Sequence, residues 1–397
     1  MRSARRPGAQ RVRESVRLGT VSNDRSGSWL LRPGTGRAPE DLRGRWQPRD
    51  TVNTAQGIFI HGAGAVSPAG WGVNALRDAL CKDEPLPIKE LARPGWNHPL
   101  RVRTVPPPTA RFPFMAHARL RRSSPITQYA IAAAVEALGD DAAKAGSGSL
   151  RLGIVLCVMT GCVNYSRRFY DETLKDPATA SPLVFPETVF NAPASHLAAL
   201  LGTTAINYTL VGDPGTFLQG LALAAGWIFS ERVDGCLVIG AEEMDWLTAD
   251  AYRLFARKII LSDGAGAIYL RRDVSNAPGV QLHSITSPEL FSNSSARMLA
   301  ARRTRAGLPP GNSHHLLCDS TQNLPGIDAA ERAAWNDWPA TRLSPKTVLG
   351  EGLAAGSAWQ CVAAIDSLQQ ERFAAANVSV VGCNEQCIGA HFTRTRQ

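Results

Sequence analysis

Ala205-Ile-Asn-Tyr-Thr-Leu-Val-Gly-Asp-Pro-Gly-Thr-Phe-Leu-Gln-Gly-Leu, residues 205–221, reads as a strand, a tight turn and a helix. Ile206 to Val211 is rich in β-branched and aromatic residues, which suit a strand. Gly212-Asp213-Pro214-Gly215 is a cluster of turn formers. Asp213 is a good helix N-cap, and Pro214 suits the first helical position, where its fixed φ is already helical. The Ala-rich run to Phe229 carries no charge and reads as a helix buried on most sides. Proline offers neither a nucleophilic atom nor a backbone N–H.

The same rhythm recurs along the chain. Ile58-Phe-Ile-His-Gly-Ala-Gly-Ala-Val is a strand running into a glycine-rich turn, and a helix follows over about 72–80. Residues 84–125 are rich in Pro and Arg and read as an elaborated loop. Ser124-Pro125 opens a helix to about Leu138. Leu152 to Met159 is a buried strand, and a helix after Phe190 ends at Gly202. Strands follow over 206–211 and 233–239. Ile259-Ile-Leu and Gly264 to Leu270 are two apolar runs around a tight turn, which Asp263 is expected to cap. A second series brings strands near 280–284, 315–318 and 378–381, helices over 329–335 and to about 369, and a last strand beginning at 389. Strand and helix alternate over some 330 residues, which argues for an α/β fold with a largely parallel or mixed sheet, built from two related halves.

The chain has 397 residues, 44% of them hydrophobic, enough for a sizeable core. No apolar run reaches the ~18 residues of a membrane span. The eight cysteines lie mostly within apolar runs, and Cys383 and Cys387 have no His or Cys cluster nearby. Reduced core thiols of a cytoplasmic protein are expected, without disulfides, metal or cofactor. The net charge is +9, and much of the excess falls in the first fifty residues, where arginines are dotted among Gly, Ser and Pro. Residues 1–55 are therefore read as a disordered basic extension, 56–275 as one half and 276–397 as the other. The remaining basic residues are dispersed and form no nucleic-acid module.

Five segments, in order, resemble the β-ketoacyl synthase family. They are Ile60-His-Gly-Ala-Gly-Ala-Val-Ser-Pro-Ala-Gly, Asn191-Ala-Pro-Ala-Ser-His-Leu, Val238-Ile-Gly-Ala-Glu-Glu, Leu261-Ser-Asp-Gly-Ala-Gly-Ala and Ser344-Pro-Lys-Thr-Val-Leu-Gly-Glu-Gly. The resemblance spans about 57–392. It implies a thiolase-like five-layer αβαβα fold with two pseudo-symmetric halves, a dimer, and acyl chains carried on acyl carrier protein. It also implies a Cys-His-His site, and here each position departs from that pattern. Pro214 stands at the cysteine. Asp319 or Ser320, depending on register, stands at the first histidine. Glu351 stands at the second, although Lys346 and Gly350 of that motif are retained. The gating loop reads Gly382-Cys383-Asn384, with Cys383 at or near the family's phenylalanine.

A thioester-exchange nucleophile must be a thiolate or a comparably activated group. Pro214 supplies none, and it also removes an oxyanion-hole N–H. Cys318, at a strand end near the first histidine position, is the best-placed alternative thiol, but no histidine follows it. The leading expectation is a non-condensing subunit of the chain-length-factor type, pairing with an active ketosynthase. A second reading is a divergent synthase or acyltransferase that uses Glu351 as base with Lys346 or Cys318. A third is a scaffold that binds acyl carrier protein through Arg119, Arg121 and Arg122.

Overall fold

The computed structural model describes residues 52–273 and 279–395. The basic stretch expected to be disordered lies outside the described residues, except at its end. There the first strand, β1 (Val52–Ser67), begins ahead of Gly57.

Among the described residues ten strands make two blocks of five with the same order and matching helices, Val163–Lys175 being an addition of the first block. The first runs β1, α1 (Pro125–Leu138), β2 (Leu152–Val158), α2 (Val163–Lys175), α3 (Ala192–Leu201), β3 (Ile206–Val211), α4 (Thr216–Phe229), β4 (Gly235–Glu242) and β5 (Gly264–Arg271). The second runs β6 (Val280–Ile285), α5 (Ser294–Ala306), β7 (His315–Cys318), α6 (Pro325–Ala334), β8 (Thr341–Leu343), α7 (Leu353–Gln369), β9 (Ala375–Val381) and β10 (Gln386–Arg394). Across the sheet the order is β8-β7-β9-β10-β6-β1-β5-β4-β2-β3. In each block the third, second and fourth strands run parallel, and the last runs antiparallel between the fourth and the first. β1 pairs antiparallel with β6, joining the blocks.

Buried apolar residues form layers on both faces. The largest cluster includes Phe217 and Leu221 of α4 and Trp359 and Ile365 of α7, the middle helices. A second packs α1 and α3 on the outer face of the first block. A third packs α5 and α6 on the second. These are the five layers that the resemblance implied. Every residue of α7 except Gln369 is buried, so its near-absence of charge follows from its place between the two blocks of the sheet. Gly240 and Gly266 let it approach closely: a side chain at Gly240 would collide with the Ala354 carbonyl, and one at Gly266 would press on Ala358 at 2.7 Å. Trp359 Nε1 donates to Val66 O at 3.0 Å and to Ala265 O at 2.9 Å, tying α7 to β1 and β5.

Some expectations need correction. Leu261–Ser262 and Gly264–Arg271 do not form a hairpin, because Leu261–Ser262 pairs instead with Leu100–Arg103. Asp263 Oδ1 accepts from Val105 N at 2.7 Å, so it fixes a distant loop rather than only its own turn. The charged helices α2 and Trp246–Phe255 escaped the sequence reading. The helix expected at 329–335 begins at Pro325. All eight cysteines are free, and only Cys81 is exposed.

Candidate functional site

The duplication brings the β3–α4 turn and the β8–α7 connection to the same level of the molecule, beside the hairpin turn between β9 and β10. Helix α4 opens at Thr216 with Gly215 at its cap, so Pro214 lies in the preceding turn rather than at the first helical position. Thr216 N donates to Asp213 O at 2.8 Å, and Phe217 N to Pro214 O at 3.3 Å. These carbonyls satisfy the helix's first N–H groups, so Asp213 is not needed as a side-chain cap. Its carboxylate instead crosses to the other block. Glu385 N and Gln386 N both donate to Asp213 Oδ2 at 3.2 Å. A side chain at Gly382 would collide with that carboxylate, which explains the glycine. Asp213 is 2% exposed. Burial pushes its pKa up, against the two backbone N–H groups that pull it down.

Lys346 lies on the short helix Pro345–Leu349, and Glu351 follows Gly350. The two form an ion pair at 2.7 Å, both fully buried. Burial alone would lower the Lys346 pKa, but the Glu351 charge outweighs it and the pKa is raised. Gly350 has φ 91°, and a side chain there would press on Ile260 O at 2.7 Å. Leu353, a non-glycine residue at φ 53°, donates its N–H to Glu351 Oε1 at 2.9 Å. Local backbone strain of this kind is characteristic of sites that must hold one group in place.

Cys383 completes the group. Its thiol donates to Glu351 Oε2 at 3.4 Å. Burial raises the pKa of this thiol well above the usual range, and the neighbouring carboxylate raises it further. The thiol lines a cavity of about 480 Å³ together with Arg257, Lys258, Arg297, Leu324 and Ile327. Asn384 is exposed at the tip of the turn.

The two candidates for the first histidine position face different ways. Asp319 Oδ1 accepts from Ser344 Oγ at 2.7 Å and from Thr321 Oγ1 at 2.8 Å, towards a separate cavity lined by Arg342 and Thr347. Ser320 turns to the end of β9, where Val381 N donates to its Oγ at 3.2 Å. Ser320 N donates to Glu331 Oε2 at 3.0 Å. Glu331 is fully buried, and its pKa is pushed up to about 8 by burial first and by Asp319 second.

Cys318, the thiol favoured from the sequence, is fully enclosed beside β9 and lines none of these cavities. The sequence placed Cys383 only in a gating loop. Its nearness to Glu351 depends on the return of β9 into β10, which no local pattern shows. His196 is buried, accepting from Arg119 Nε at 3.3 Å and lying 2.8 Å from Glu187 Oε1. Arg119, Arg121 and Arg122 are exposed around an adjoining cavity. Among the described residues no cluster of His, Cys, Asp and Glu could hold a metal, and no helix is long and apolar enough to cross a membrane.

Comparison with known proteins follows the same line. The profile of 3-oxoacyl-[acyl-carrier-protein] synthase III matches residues 214–287, beginning at Pro214. No curated protein matches the chain in sequence. Among solved structures, the ishigamide ketosynthase/chain length factor is similar at TM-score 0.67 and 21% identity, over 86% of this chain and 100% of that one. A type II polyketide synthase acyl-carrier protein in complex with its ketosynthase bound to the hexaketide matches at TM-score 0.66 and 15% identity, over 85% and 99%. A β-ketoacyl synthase from Burkholderia phymatum STM815 matches at TM-score 0.67 and 15% identity, over 86% and 100%. With the duplicated five-strand order and the central helix pair, these likenesses show that the chain has the thiolase-like fold of the β-ketoacyl synthases.

Proposed function

We propose that this chain is a non-condensing ketosynthase-like subunit that pairs with an active ketosynthase and helps shape the space for an acyl chain delivered on acyl carrier protein. The observation that carries the reading is the open edge of β3 in a chain whose expected nucleophile position holds Pro214. Among the described residues β3 is the terminal strand of the sheet, and it carries Tyr208 and Val211, 48% and 53% exposed. Beyond its end, Phe190 packs against Gly161, three residues past Val158, the register partner of Val211. Phe185 and Leu183 on the same connection are also exposed. A six-residue strand with unpaired backbone and apolar side chains is a hazard in a monomer and an asset in an assembly.

The chemistry at the site agrees. Pro214 offers no thiol at the expected nucleophile position, and a carboxylate, Glu351, stands where enolate stabilisation calls for a donor or a positive charge, which supports a non-condensing role. The acyl-chain and carrier roles rest on the likeness to the ketosynthase/chain length factor. Co-expression with an active type II ketosynthase, followed by size-exclusion chromatography, tests the proposal. A stable one-to-one complex is expected. A chain that stays monomeric or purifies only as a homodimer in the presence of that ketosynthase overturns it.

A further inference from the structure

Cys383 is set apart from the other seven cysteines by three features at once. It lines a cavity, it hydrogen-bonds a buried carboxylate, and that carboxylate is anchored from behind by a buried lysine. The others are either packed into the core or, like Cys81, on the open surface. Glu351 cannot turn away, because Lys346 holds Oε2 at 2.7 Å and Leu353 N holds Oε1 at 2.9 Å. The carboxylate therefore presents a fixed proton acceptor to the thiol, which is the arrangement a general base needs. Arg257 and Lys258 are exposed and Arg297 half-buried around the same cavity. No carboxylate among the described residues forms an ion pair with any of the three. Unpaired cations around a cavity favour an anionic guest.

We infer that Cys383 is an acyl acceptor, taking the acyl group of a thioester whose carrier arm is anionic, with Glu351 as the proton acceptor. The choice of a thioester rests on the acyl-handling role proposed above; the thiol–carboxylate pair does not. The step balances without a redox partner. The Cys383 S–H proton passes to Glu351 Oε2 as sulfur bonds to the carbonyl carbon. The carbon–sulfur bond of the incoming thioester then breaks, and the departing thiolate takes the proton from Glu351. Because burial and Glu351 together oppose a free thiolate, attack requires this coupled transfer, and the pair stays inert until a substrate fills the cavity. The acceptor thus sits on the β9–β10 turn, facing the β3–α4 turn that holds Pro214.

The test uses the purified full chain with octanoyl-coenzyme A and with the uncharged octanoyl-N-acetylcysteamine, read by intact mass and peptide mapping. One octanoyl group on Cys383 is expected from both donors, and none on Cys383→Ser. Glu351→Gln should slow labelling about 100-fold and move its pH profile to the alkaline side. Should that variant fold poorly, Lys346→Met/Glu351→Gln removes both charges and must show the same loss. Arg297→Glu should slow labelling by the coenzyme A thioester but not by the uncharged one. Labelling of Cys81 alone, no labelling, or an unchanged rate in the Glu351 variants overturns the inference. These outcomes are separate from partner binding: a chain that forms the heterodimer but takes no acyl group sinks this inference and leaves the subunit reading standing.

Discussion

The third strand of each half, with the turn that follows it, occupies the same place in a duplicated plan and is treated in opposite ways. β3 is six residues long, exposes Tyr208 and Val211 along the sheet edge, and passes through a four-residue turn whose only ionisable group, Asp213, serves the other half. β8 is three residues long, carries the exposed Thr341 and Arg342, and leads into a connection that hides Lys346 and Glu351. A short, charged edge strand resists pairing, whereas a longer apolar one invites it. The duplicated scaffold thus leaves an exposed apolar edge in one half and a buried charged pair in the other.

The comparison breaks most readily at the buried ion pair. Glu351→Ala strands the Lys346 charge in the interior and should cost about 3–5 kcal/mol in urea unfolding, whereas Lys346→Met/Glu351→Leu should lie close to the parent. If the single and double variants are equally destabilised, the pair is not what makes the second half's connection distinctive. At the edges, Val211→Asp combined with Tyr208→Lys should weaken a ketosynthase complex by about 2 kcal/mol or more, measured by calorimetry. Arg342→Glu on the opposite edge should leave that affinity alone.

A third expectation concerns pH. The Glu331 carboxyl has its folded-state pKa raised to about 8. Between its ordinary value and that one, the folded chain holds a proton that the unfolded chain has released. Its contribution to stability is therefore present at low pH and lost as pH rises through about 8, at no more than about 1.4 kcal/mol per pH unit. Denaturant titrations from pH 5 to 8.5 should show this slope, and Glu331→Gln should flatten it. The smallest effect belongs to Pro214→Ala. Pro214 lies before the helix and its carbonyl, which alanine also has, is the part that Phe217 uses. A change within about 1 kcal/mol is expected from thermal melts.

The fold was legible in the sequence because its elements announce themselves locally. Ile206–Val211 and His315–Cys318 are strands at the residues read, and Pro125–Leu138 starts at its proline. α2 was not legible, since its face is charged and no residue of it is buried. The candidate site was legible in its departures, Pro214, Glu351 and the retained Lys346, but not in its assembly. Asp213 looked like a cap because local spacing favours one; its real partners are Glu385 and Gln386, some 170 residues on. Cys383 meets Glu351 only through the β9–β10 hairpin, so motif order pointed to Cys318 instead.

The position of β1 bears on how the chain is made. β1 is hydrogen-bonded on one side to β5 and on the other to β6, and Trp359 of α7 fastens onto the Val66 carbonyl. During synthesis β1 therefore has only the two-residue pairing of Val66–Ser67 with Gly70–Trp71 until residue 264 has followed, and no cover from α7 until past 359. A long apolar strand left waiting in this way folds late and is open to mispairing. A first half ending at Arg271 gives β1 its β5 neighbour but neither β6 nor the cover of α7, so one long edge of β1 stays open until the second half has followed.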